Sequence, residues 1–315
     1  MLTRRRLLRT LPFAALAPAS CEKPLPPPRY RLPRRQLEIV TTTVQSADLL
    51  RRIGGEAVTV RSLIPPETNP HLWVPTAAEI GTARLADAFF LSGLGLEANF
   101  KENLDALRKE GLYVGVLANG LDDADILLRP DGSRDPHFWL DPRLWAKAAT
   151  EAANVLTTVA PSSATWFIDR SHEVLTELAY LHEVTSRQLS ELPPRNRFLL
   201  TSHDTMAYFG RAYQLEVRSI GSSAGEAPAK MSEDLTGWIR DHRVRTLFRE
   251  YFADITAIKE LARPLMLISD PSIFSLSLAI PGTRVAGITD EHEVEFFMPA
   301  FRYTVENIHG RLRLE

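Results

Sequence analysis

Apolar and polar positions alternate between two periods along most of the chain. Leu37 to Thr43 is short and β-branched, and Ser46 to Gly54 follows with helical spacing and a closing glycine, so a strand and a helix are predicted there. Residues 57–64 form the next strand-like run and end in Pro65-Pro66. A helix over 76–85, an apolar strand over 88–91, a helix over about 97–110 and a strand over 113–117 continue the series. Strands alternating with helices predict a parallel sheet covered on both faces.

From Pro142 the pattern turns helical. Residues 161–192 contain no internal proline and carry Trp166, Ile168, Val174, Leu175, Leu178, Leu181 and Val184 at mostly three- or four-residue spacing. A helix of roughly 30 residues reaches about 45 Å, longer than one lobe requires. A second series then begins, with strands over 197–201, 215–220 and 244–248, a helix containing Tyr208 and Phe209, a helix over 232–242 and a final helix over 294–313. The expected class is α/β, with two α/β lobes built on parallel sheets and joined by a long rigid backbone helix. The lobes are expected at 36–160 and 193–315, the linking helix at 161–192, and a binding cleft between the lobes where strand-end loops face each other.

The N-terminus does not follow this pattern. Residues 3–9 are rich in arginine, residues 11–19 are apolar, and Ser20-Cys21 follows, which is the order of an export signal over 1–21. Thr3-Arg4-Arg5-Arg6-Leu7-Leu8 is similar to a twin-arginine signal, and Ala19-Ser20-Cys21 to a lipoprotein processing site, although Pro18 stands where an aliphatic residue is usual. Cys21 is the only cysteine, which excludes an intramolecular disulfide and a cysteine-built metal site and marks it as the candidate lipidation residue. Residues 22–35 read as a Pro/Arg-rich tether. The expected location is periplasmic or extracytoplasmic, with membrane contact only through a lipid anchor.

Overall charge adds little. The 37 basic and 39 acidic residues give no case for nucleic acid. Cleavage before Cys21 would remove four arginines and no acid, taking the net charge from −2 to −6.

Three histidines sit in similar settings. His137 lies between Asp135-Pro136 and Asp141-Pro142 beside Phe138 and Trp139, on a loop that the prolines stiffen. His71 follows Asn69-Pro70 and precedes Leu72-Trp73, and His203 follows the predicted strand 197–201 within Ser202-His203-Asp204. Loops at strand ends are where α/β scaffolds present binding residues, so a shared site is expected. Three imidazoles suit zinc or another borderline divalent ion, with a carboxylate as the fourth ligand. Asp290, at the end of a strand-like run 284–290, is the first candidate and Asp270 its rival, and either residue could instead be a cap or turn residue. His172, His182, His242 and His309 read as solvated or packing residues.

Four stretches carry a family resemblance: Asn69-Pro70-His71 with Pro75-Thr76; Ser92-Gly93-Leu94-Gly95-Leu96-Glu97; Asp135 to Pro142; and Ser202-His203-Asp204 through Tyr208-Phe209-Gly210-Arg211-Ala212-Tyr213. In that order and spacing the chain resembles the TroA-like and ZnuA-like solute-binding proteins of bacterial ABC importers for zinc and manganese. The resemblance implies two lobes with a linking helix, and a cargo ion, Zn2+ or Mn2+, bound by His71, His137, His203 and Asp290. It implies an importer permease as partner and no enzymatic activity. The chain departs from the family pattern over Pro264 to Pro281, and by Glu291-His292 after Asp290, where His292 is placed to assist. Three histidines favour zinc. The loop 121–133, acidic but without histidine, and Gly210-Arg211-Ala212-Tyr213 are closer to manganese-type relatives. The competing readings are a metal-dependent hydrolase using the same histidines and an adhesin-like surface protein on this scaffold.

Overall fold

The computed structural model describes residues 30–221, 230–251, 253–269, 271–280 and 296–315. In the first lobe, β1 (Leu37–Thr41), β2 (Val58–Ser62), β3 (Ala88–Leu91) and β4 (Val114–Val116) form a parallel sheet in the order β2-β1-β3-β4. Buried from both faces, β3 is apolar throughout (Ala-Phe-Phe-Leu), as such a sheet requires. Its connecting helices are α1 (Val44–Gly54), α2 (Ala77–Arg84) and α3 (Lys101–Lys109). The strand predicted to Thr43 ends at Thr41 because Thr43 caps α1, its hydroxyl accepting from the Ser46 amide. Thr76 and Glu79 close a capping box on α2.

The second lobe repeats the topology. Its strands β5 (Phe198–Thr201), β6 (Glu216–Ser219), β7 (Leu247–Glu250) and β8 (Ser272–Ile273) are parallel in the order β6-β5-β7-β8. The helices here are α6 (Ala207–Tyr213), α7 (Glu233–Asp241), α8 (Ile255–Ala262) and α9 (Phe297–Leu312). The strand expected over 244–248 lies three residues later, because Arg243 takes a left-handed turn (φ 56°) and Val244 packs into the core of this lobe before the strand starts. The helix α8 has no counterpart in the sequence reading. Its start is set by Asp254, whose side chain accepts from the Thr256 and Ala257 amides.

Between the sheets run α4 (Pro142–Val159) and α5 (Ala164–Ser190). Asp141 caps α4 and Pro142 opens it. The 27-residue α5 packs on α1 and α4 from the first lobe and on α6 and α9 from the second. One continuous apolar core therefore reaches both sheets, from Leu37 and Ile39 through Phe167 and Leu178 to Phe209 and Phe301. Because both sheets are parallel, the loops that leave the C-terminal ends of their strands gather on one side of each sheet.

Candidate metal centre

The His137 loop is built from a short hairpin. Arg129 and Ser133 pair across a turn in which Gly132 has φ 82°, and Leu128 bridges Arg134. Asp135 then folds back on its own loop, its Oδ1 accepting from the His137 amide at 3.0 Å and from His137 Nδ1 at 2.7 Å. That bond fixes the tautomer, leaving the Nε2 lone pair of a fully buried imidazole free for another partner. Trp139 stands edge-on to His137 with ring centroids 5.3 Å apart, and Phe138 packs between Trp139 and Trp145.

His71 follows β2. Asn69 Oδ1 accepts its amide, Asn99 donates to the carbonyls of His71 and Trp73, and Trp73 stacks at a tilt on Phe100. These contacts deliver His71 Nε2 to 2.9 Å from His137 Nε2. Burial, reinforced by the neighbouring His137, Arg129 and His203, pushes the His71 imidazole down to about 3. His203, just past β5, is held by its carbonyl, which accepts from the Thr201 hydroxyl and the Thr205 amide, while its Nδ1 lies 3.2 Å from Ser202 Oγ. Its pKa is likewise lowered by burial and by His137. Near-neutral pH thus leaves His71 and His203 uncharged, as metal ligation requires. Burial raises the carboxyl of Asp204.

The structure therefore brings His71 and His137 into contact and sets His203 close by. Among the described residues, no three histidine, cysteine or acidic side chains close tightly enough to enclose an ion. Asp290, its rival Asp270, the assisting His292 and Cys21 lie outside the described residues. A cavity of about 440 Å3 opens beside the site between Arg129 and Asp135 on one side and Asp204, Ala207 and Arg218 on the other. At about 30 Å3 per water, it admits an ion with its hydration shell. Of the remaining histidines, His182 contacts the Tyr213 hydroxyl, His242 Nδ1 contacts the Trp238 carbonyl, and His309 sits 3.5 Å from Glu191.

The sequence reading missed a buried network behind the site. Glu250, the last residue of β7, is fully buried, and its carboxyl meets the amides of Ser275 and Leu276 and the Ser275 hydroxyl. Ser275 Oγ also contacts Thr205 Oγ1 at 2.6 Å, and the Ser275 carbonyl accepts from Trp139 Nε1 at 2.8 Å. The Glu250 amide donates to Ser202 Oγ. One buried acid thus supports residues beside both His137 and His203. A glutamate closing the apolar strand β7 was the available signal. By contrast Glu97, within the Ser92–Glu97 stretch, is structural. It accepts from Thr42 Oγ1 and from the Ser92 and Gly93 amides, and Gly93 (φ 99°) leaves no room for a Cβ against Val116 and Ala118.

Comparison with known proteins gives a consistent picture. Residues 39–284 match the family described as zinc-uptake complex component A, periplasmic. The zinc-binding protein TroA of Treponema pallidum (strain Nichols) is 30% identical over 214 residues, covering 67% of this chain and 69% of the relative. The manganese-binding lipoprotein MntA of Bacillus subtilis (strain 168) is 27% identical over 219 residues, covering 69% and 71%. The solved structure of the periplasmic zinc-binding protein TroA from Treponema pallidum superposes with a TM-score of 0.79 at 24% identity, covering 88% of this chain and 99% of that one. A periplasmic metal-binding protein from Candidatus Liberibacter asiaticus superposes at 0.77 with 17% identity, covering 88% and 100%. These superpositions establish the two-lobed fold.

Proposed function

The chain belongs to the ZnuA family of periplasmic metal-uptake components, which are binding proteins and not enzymes, and from that premise we propose that it captures a divalent transition metal for an ABC importer, with zinc favoured over manganese. The hydrolase alternative falls with the family assignment. In this reading His71, His137 and His203 bind the ion and Asp290 closes the site. The observation that carries it is the 2.9 Å approach of two imidazole Nε2 atoms, one of them with its tautomer set by Asp135. With Zn–N bonds of 2.0 to 2.1 Å, two ligands of a tetrahedral ion stand about 3.3 Å apart, so a few tenths of an ångström of separation admits the metal. Three neutral nitrogens suit zinc better than manganese, which prefers oxygen.

The relatives' names divide between the two metals, so cargo identity is decided by competition. Chelator-stripped protein exposed to equimolar zinc and manganese should retain one equivalent of zinc. Retention of manganese alone would reverse the preference. The location proposed is extracytoplasmic, with Cys21 as a lipid anchor and twin-arginine export. Labelled palmitate incorporation lost in Cys21→Ser tests the anchor. Among the described residues no helix is long and apolar enough to cross a membrane.

A further inference from the structure

The hairpin that carries the His137 loop is incomplete, and the other lobe completes it. In an antiparallel hydrogen-bonded pair the two residues exchange both N–H···O bonds. Leu127 and Asp135 are such a pair, yet only one bond is direct, from the Asp135 amide to the Leu127 carbonyl at 2.8 Å. The returning bond passes through Tyr208. The Leu127 amide donates to Tyr208 Oη at 3.0 Å, and Oη donates to the Asp135 carbonyl at 2.9 Å. Tyr208 is fully buried on α6, five residues after His203, and the Arg211 guanidinium lies over its ring at 5.1 Å.

We propose that Tyr208 is a positioning residue for the metal centre, its hydroxyl spliced into the Leu127–Asp135 rung so that the second lobe sets the pose of Asp135 and, through it, of His137. The inference rests on the metal-capture reading for its consequence and on hydrogen bonding alone for its geometry. Without the hydroxyl, the Leu127 amide and the Asp135 carbonyl either close directly on each other, turning Asp135, or lose their partners inside the protein. In both cases the Asp135 carboxylate no longer holds His137 Nδ1 in its present direction. Partners of a metal-ligating histidine are worth 10- to 100-fold in affinity, and one step further out about tenfold is expected.

The test uses the full chain, chelator-stripped, as parent, Tyr208→Phe and Arg211→Met. Arg211 also joins the lobes, donating to the Asp125 carbonyl at 2.7 Å, but takes no part in the rung. Tyr208→Phe should weaken zinc binding about tenfold, mainly through faster release, and should shift the low-field Nδ1 proton resonance of His137. Arg211→Met should stay within twofold of the parent and leave that resonance in place. Equal zinc affinity in parent and Tyr208→Phe, or equal losses in both variants, would overturn the proposal. In the metal-free parent the Leu127 amide should be protected from hydrogen exchange, and exchange at the rate of an open loop would also overturn it, whatever the folding of the variant. If the parent binds no metal the capture reading fails, and the His137 resonance and Leu127 exchange still decide the role of Tyr208.

Discussion

Replacing Glu250 by glutamine should change how stability depends on pH. Glu250 is buried at the end of β7, and among the described residues no cation forms an ion pair with it. Burial pushes its carboxyl up to about 8 from an ordinary value of 4.5, against the opposing pull of the Ser275 and Leu276 amides. Between those values the folded protein keeps a proton that the unfolded chain has released. Stability from this group is therefore complete below pH 4.5, falls as pH rises, and is gone near pH 8. At 1.36 kcal/mol per pH unit, the full interval corresponds to about 5 kcal/mol, and the span from pH 5 to 7.5 to about 3 kcal/mol. For a chain of 315 residues that is a difference of about 5 °C in melting temperature. Glutamine keeps the shape and offers a permanent donor to Ser275 Oγ, so Glu250→Gln should lose this slope. Melts of chelator-stripped parent and variant at pH 5 to 7.5 and constant ionic strength measure it. His71 contributes equally to both proteins and drops out of the difference. Parallel curves would refute the reasoning.

Two further predictions concern the histidine site. Asp135→Asn removes the carboxylate that accepts from His137 Nδ1 and should weaken zinc binding 10- to 100-fold in calorimetric titration while leaving the fold intact. His71, held at about 3 in the folded state against 6.5 when unfolded, contributes stability that is complete above pH 6.5 and is lost as pH falls toward 3. Metal-free parent should therefore lose roughly 1 to 2 kcal/mol more than His71→Gln between pH 7 and 5, allowing for partial exposure, and denaturant unfolding at the two pH values checks it.

The first sheet, three strands of the second and the long helix were legible because their physics is local, whereas β8 was not read. The apolar run Ala88–Leu91 is too short for a helix and suits a buried strand, and Asp141-Pro142 joins a capping side chain to a residue fit for a first helical turn, as it does in α4. The meeting of His71 and His137 was legible for a related reason, since prolines confine the loops that carry them. The connections between lobes were not. Tyr208 joins Asp135 across 73 residues, and Trp139 reaches Ser275 across 136. Neither pair has a local pattern to announce it. Glu250 was hidden differently, because a carboxyl in an apolar strand gains its meaning only from the amides of Ser275 and Leu276 that fold over it. The segment from Pro264 to Pro281, read as a departure from the family pattern that holds the rival ligand Asp270, contains these support residues: Ser275 meets Trp139, and Ser277 accepts from the Glu67 amide.

The central claim is that His71, His137 and His203 together bind one metal ion. Zinc titration of chelator-stripped parent and His137→Ala, followed by elemental analysis after gel filtration, tests it most directly. The parent should retain one equivalent of zinc with a raised melting temperature, and the variant should retain none while melting like the metal-free parent. Equal retention by both proteins would contradict the account, because His137 would then lie outside the site that binds the metal.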